Sequence, residues 1–154
     1  MTDDDRAIVA TGLNHWFGRG EARKQAIYDV GLTVARGSLT VLMGPSGSGK
    51  TTLLTLMGCL REVQDGSVRL LGQELADAPE RRLVALRRRL GFIFQAHNLH
   101  ESLTARQNVL MGLQVKPLRD RTADGETAAH ALGLLGLSDR LDYLPANLSG
   151  GQKQ

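Results

Sequence analysis

Gly44-Pro45-Ser46-Gly47-Ser48-Gly49-Lys50-Thr51 is the stretch that decides the fold. It has a glycine, four residues, then Gly-Lys and a hydroxyl residue, and its flanks make the pattern specific. Before it, Leu39-Thr40-Val41-Leu42-Met43 is a short, partly β-branched apolar run, as expected of a strand covered on both faces. After it, Leu53, Leu56, Met57 and Leu60 recur at helical spacing, so a helix opens near Lys50. Glycines let successive backbone amides curl around an anion, and the helix N-terminus adds partial positive charge at the same point. Lys50 supplies a cation for β- and γ-phosphates, Thr51 a hydroxyl for Mg²⁺, and Thr52 a hydroxyl for the α-phosphate. A glycine-rich turn without a ligand is the bland alternative; it leaves the strand and helix on either side unexplained. The loop is expected to bind nucleotide.

Working outward, Ala7–Ala10 and Gly12–Phe17 read as a short strand entering a loop, and 18–25 as a polar surface turn. Ile27, Val30, Leu32 and Val34 suit a half-buried strand over 26–34. Asp65-Gly66 and Gly72 bracket a small antiparallel excursion containing Val68 and Leu70. Asp77 and Glu80 have capping-box spacing ahead of a helix through Leu83, Leu86 and Leu90. Gly91-Phe92-Ile93-Phe94 is a second buried-strand candidate. From Leu103 the chain turns helical: Val109, Leu110 and Leu113 lie on one helix that stops before Pro117, and Ala128, Ala131, Leu132 and Leu135 on another that Gly136 ends at C′.

A second glycine cluster, Leu148-Ser149-Gly150-Gly151-Gln152, closes the sequence with Lys153 and Gln154. Physically it is another hydroxyl-and-glycine nest at the start of a helix; alone, a Ser-Gly-Gly linker would explain it as well. Paired with the phosphate loop, it resembles the signature of ABC-transporter ATPases. Gln95 after Phe94 resembles that family's Q-loop glutamine, and Leu103-Thr104-Ala105-Arg106-Gln107-Asn108-Val109 resembles its L-T-x-x-x-N-V helix start. Gly136–Arg140 with Pro145 is similar to the run-in to the signature. The similarity covers essentially the whole chain and runs to exporters of the MacB and LolD type. The stretches 44–54, 71–75, 92–99 and 103–109 resemble the heterocyst-glycolipid (DevA) exporter ATPases in particular.

The resemblance implies an α/β P-loop NTPase with an ABC-type antiparallel β subdomain and a helical subdomain. It divides the chain into about 1–102 with P-loop and Q-loop, about 103–148 helical, and the signature at 148–152. It implies ATP and Mg²⁺ as cofactors, with Thr51 and Gln95 at the metal and Gln95 coupling it to the attacking water. Phe17, with Trp16 as rival, takes the place of the aromatic that stacks on adenine. Ser149, Gly150, Gly151 and Gln152 would face the ATP of a second ATPase subunit in a head-to-tail dimer. Further partners implied are a membrane permease and a periplasmic adaptor, the ATPase sitting on the cytoplasmic side of the inner membrane with lipid, glycolipid or lipoprotein-like cargo. In this family the Mg²⁺-holding Asp, the catalytic Glu and a later His follow the signature. The 154 residues are therefore expected to be a partial domain with an incomplete central sheet, inactive by itself. A non-hydrolysing nucleotide-binding remnant, or an ABC ATPase acting on DNA or ribosomes, are the alternatives; the compact spacing from Lys50 to Ser149 counts against the last.

Composition narrows the field. No apolar run reaches the roughly 18 residues of a bilayer span, and Met1–Asp5 does not read as a secretory signal. A single cysteine, Cys59, excludes an intrachain disulfide, fits a reducing compartment, and reads as a packed thiol. A net charge of +3 with only 4% aromatic residues gives little for stacking bases, so no nucleic-acid partner is expected. Arg81, Arg82 and Arg87–Arg89 read as a solvated helix face. His15, His97, His100 and His130 have no metal-ligand spacing.

Overall fold

The computed structural model describes residues 5–94, 98–113 and 124–154, and the chain divides into two compact units, 1–92 and 93–154. The first is built on an antiparallel sheet. β1 (Arg6–Phe17) pairs on one side with β2 (Lys24–Ala35) and on the other with β3 (Asp65–Leu70), which pairs with β4 (Gln73–Glu74). The strand order is β2-β1-β3-β4. The two runs expected over 7–17 are one strand with irregular register between Ala10 and Leu13. That bulge lets residues an odd number apart face the same way, so Ala10, Leu13 and His15 are all buried.

Helix α1 (Lys50–Met57) lays Leu53, Leu56 and Met57 on this sheet, in one core with Leu13, Ile27, Val68 and Leu70. Helix α2 (Glu80–Arg87) adds Leu86. The capping role expected of Asp77 is not realised: Pro79 is the residue before the helix, without a side-chain cap. Proline's ring biases the preceding residue away from helical geometry, which moves the helix start past Asp77. Glu74 instead organises this corner. Its carboxylate accepts from the Ser67 hydroxyl and from the amides of Val68, Leu75 and Ala76. Burial pushes its pKa up, and these bonds outweigh that and bring it below the usual value.

Two expected strands are absent. Residues 39–43 and 91–94 carry no strand, and Leu39 and Ile93 are 93% and 82% exposed. A strand needs a neighbouring strand to take its amides and carbonyls, and the sheet formed by the described residues includes neither segment. Apolar content alone cannot supply that partner.

The second unit is helical. α3 (Ala105–Leu113), α4 (Asp124–Leu134) and the short α5 (Gly150–Lys153) surround Ala105, Leu132, Leu137 and Leu148, with Val109 and Leu141 packed alongside. Pro117 lies outside the described residues. α4 ends as expected: Gly136 has φ +73°, the Gly136 amide donates to Gly133 O at 3.0 Å and the Leu137 amide to Leu132 O at 2.9 Å. These are the two bonds of a Schellman motif. Leu135, placed on the packed stripe by its spacing, falls beyond the last helical residue and is exposed.

Candidate functional site

The phosphate loop occupies the turn between the irregular segment 38–45 and α1. Its shape is fixed from below. A Cβ at Gly49 would lie 2.7 Å from the Ala26 carbonyl oxygen and 2.8 Å from Ile27 Cδ1, at φ +86°. The loop thus presses its backbone onto β2 where only glycine fits. Its other side is open: residues 44–48 and Thr51 are exposed. Among the described residues the amides of Gly47, Gly49, Lys50 and Thr51 have no intramolecular acceptor. They form a set of outward donors at a helix N-terminus, which is a fit for a polyphosphate. Lys50 Nζ donates to Gly44 O at 2.8 Å and Pro45 O at 2.7 Å, and lies 3.4 Å from Ser48 Oγ. The loop's own carbonyls hold the ammonium across the mouth of the nest.

Phe17, at the end of β1, pairs with Lys24, two residues along β2 from Ala26. β2 thus carries both the residue paired with Phe17 and the Ala26 carbonyl beneath Gly49. Phe17 is 39% exposed; Trp16 is half-buried, with the Arg23 guanidinium 4.5 Å from its ring centre.

The sequence and the fold both match a known family. A family model described as ABC transporter matches residues 27–154. The chain belongs to the ABC transporter family. It is 42% identical over 148 residues to the macrolide export ATP-binding/permease protein MacB 1 of Aeromonas hydrophila, covering 96% of this chain and 23% of that protein. It is 40% identical over 148 residues to the lipoprotein-releasing system ATP-binding protein LolD 2 of Rhodospirillum rubrum, covering 96% of this chain and 64% of that one. The ATP-binding cassette MJ0796, solved as a dimer bound to ADP and Pi, superposes with a TM-score of 0.82 at 30% identity, over 95% of this chain and 65% of its own. The chain thus spans less than two thirds of these relatives. Its fold is the ABC-type P-loop NTPase fold, antiparallel β subdomain included.

In the second unit, Ser149 is the N-cap of α5, closed by a capping box: Gln152 N donates to Ser149 Oγ at 3.3 Å and Ser149 N to Gln152 Oε1 at 2.9 Å. The Ser149 hydroxyl accepts one bond and keeps its proton to donate outward. Gly150 and Gly151 are exposed with open space where a Cβ would go. A second capping box opens α3, where Thr104 N donates to Gln107 Oε1 at 2.9 Å and Gln107 N to Thr104 Oγ1 at 3.3 Å. Both carry a sequence mark, [Ser/Thr]-x-x-Gln, that the reading from apolar spacing passed over. Asn108 completes the α3 start by donating to the carbonyls of His100, Leu103 and Thr104.

Gln95 and His97 lie outside the described residues. Among the described residues no cluster of His, Cys, Asp or Glu could hold a metal, and no helix is long and apolar enough to cross a membrane. Arg81, Arg82, Arg88 and Arg89 are exposed, whereas Arg87 turns inward to Glu80 and the Cys59 carbonyl. Cys59 is buried and unpaired, and burial pushes its thiol pKa up, the opposite of an activated thiol.

Proposed function

We propose that this chain is the ATP-binding part of an exporter-type ABC transporter, with Gly44–Thr51 holding the triphosphate. The observation that carries this is the row of unpaired amides over a loop seated on β2 through Gly49. In this reading Lys50 leaves the Gly44 and Pro45 carbonyls to share the β- and γ-phosphates, and Thr52 supports the α-phosphate. Thr51, joined by Gln95, supplies the protein oxygens for Mg²⁺, an ion that takes few protein ligands beside substrate phosphates. Bound there, Mg²⁺ would neutralise phosphate charge. Phe17 is the base platform in preference to Trp16, since it is the more exposed ring.

The signature, Ser149 to Gln152, addresses a second copy's ATP. Support comes from its outward hydroxyl and open glycines, and from the dimeric state of the MJ0796 cassette. We further propose a membrane permease partner, supported by the ATP-binding/permease relative, and lipoprotein-like cargo, supported by the lipoprotein-releasing one; the periplasmic adaptor and lipid or glycolipid cargo rest on the DevA-like stretches alone. The ATPase would act at the cytoplasmic face of the inner membrane. The test is Ser149→Arg in a version extended to LolD length. ATP-driven dimers and turnover should disappear while ATP binding stays; normal ATP-driven dimers in that variant would refute the trans role.

A further inference from the structure

The segment after α1 reaches back to the end of β1 by two contacts. Gln64 brackets the Trp16 backbone, accepting from its amide at 2.8 Å and donating to its carbonyl at 3.2 Å. Three residues earlier, the Arg61 guanidinium lies over the Phe17 ring, 4.7 Å from its centre. Arg61 Nε is 3.4 Å from Thr55 Oγ1, and that hydroxyl donates to Thr52 O at 2.9 Å. A polar path therefore runs from the first turn of the phosphate-loop helix, through Thr55 and Arg61, to the aromatic ring. His15 packs perpendicular to the ring, with centres 5.1 Å apart and planes at 81°. Phe17 thus has a cation over one face and a buried imidazole beside it, yet the residue remains 39% exposed.

We infer that Arg61 is a positioning residue for the nucleotide base: it holds Phe17 from one face so that a purine stacks on the other. This rests on Phe17 being the base platform. A guanidinium on a phenyl face is attracted by the ring quadrupole. It also fixes the ring's tilt before a base arrives, and that lowers the ordering cost of binding. Through its contact with Thr55, Arg61 connects the base platform to α1, the helix that follows the phosphate loop.

The test is a calorimetric titration of the 154-residue chain with ATP and, separately, with inorganic tripolyphosphate, which has no base. Arg61→Ala should weaken ATP about two- to fivefold, the range of an exposed cation–π contact, and leave tripolyphosphate unchanged. Arg61→Lys, which keeps the cation, should recover much of the loss. In a Phe17→Ala background, Arg61→Ala should add nothing. Trp16, the only tryptophan and next to the platform, gives an independent readout. Its emission should respond to ATP in the wild type and less in Arg61→Ala. If Phe17→Ala weakens ATP but Arg61→Ala does not, or if Arg61→Ala weakens tripolyphosphate equally, the positioning role is overturned with the platform intact. If Phe17→Ala leaves ATP affinity unchanged, the platform reading itself falls.

Discussion

The phosphate loop and the signature are both glycine-rich turns that open helices, and they are built in opposite ways. At the first, Gly49 is forced by contact with β2, and a lysine sits across the amides. At the second, a Cβ at Gly150 or Gly151 would meet nothing within 4 Å, and a serine–glutamine box closes the turn. In the first, glycine is what the fold needs; in the second, a side chain would meet open space. On the proposed reading, a nest that serves this chain's own ATP and one that faces a second copy's ATP differ in what a Cβ would hit.

The largest expected effect falls on the first nest. Lys50→Ala removes a charged hydrogen-bond donor worth about 1.5–3 kcal/mol, so ATP affinity should fall from tenfold to above a hundredfold by calorimetry. The same change should leave the thermal melt nearly unmoved, since the Lys50 ammonium contacts only exposed groups of its own loop, the Gly44 and Pro45 carbonyls and the Ser48 hydroxyl.

The glycines sharpen the contrast. Gly49→Ala places a methyl group against the Ala26 carbonyl at a positive φ, a strain of about 1–3 kcal/mol, and should lower both melting temperature and ATP affinity. Gly151→Ala meets open space inside a helix and should be neutral or stabilising by up to ~1 kcal/mol. If both substitutions cost the same, the distinction between the nests is broken.

Ser149→Ala removes the α5 cap, a loss of ~1 kcal/mol in local helix stability. It should speed amide exchange at Gln152 and leave ATP affinity untouched.

The smallest effect is a pH dependence next to the base platform. His15 is buried, and burial, then the Arg61 charge, lower its pKa from 6.5. The unfolded chain therefore binds the proton more readily. This group's contribution is full above pH 6.5 and is lost as pH falls toward the lowered value. Chemical denaturation at pH 7.5 and 5.5 should show a smaller pH difference in His15→Phe than in the wild type.

Much of this was legible in the sequence because the decisive features are local. The loop, the helix after it, the hairpin around Gly72 and the Gly136 stop each follow from residues within one turn of one another. Leu39–Met43 and Gly91–Phe94 were misread because strand formation depends on a neighbour supplied elsewhere, which apolar content cannot report. Asp77 failed as a cap because Pro79 intervened. The Arg61–Phe17 and Gln64–Trp16 contacts join residues more than forty positions apart, and no spacing rule connects them. The family resemblance named Phe17 with Trp16 as rival, and the greater exposure of Phe17 is what the proposal adds to it.

The central proposal is that the nest at Gly44–Thr51 binds ATP by itself, while the nest at Ser149–Gln152 addresses the ATP of a second copy. Calorimetric titration of the chain with Mg-ATP, beside its Ser149→Arg variant, tests it most directly. One ATP per chain with equal affinity in both proteins is the expected result. No measurable binding in the wild type, or binding lost in Ser149→Arg, would contradict it.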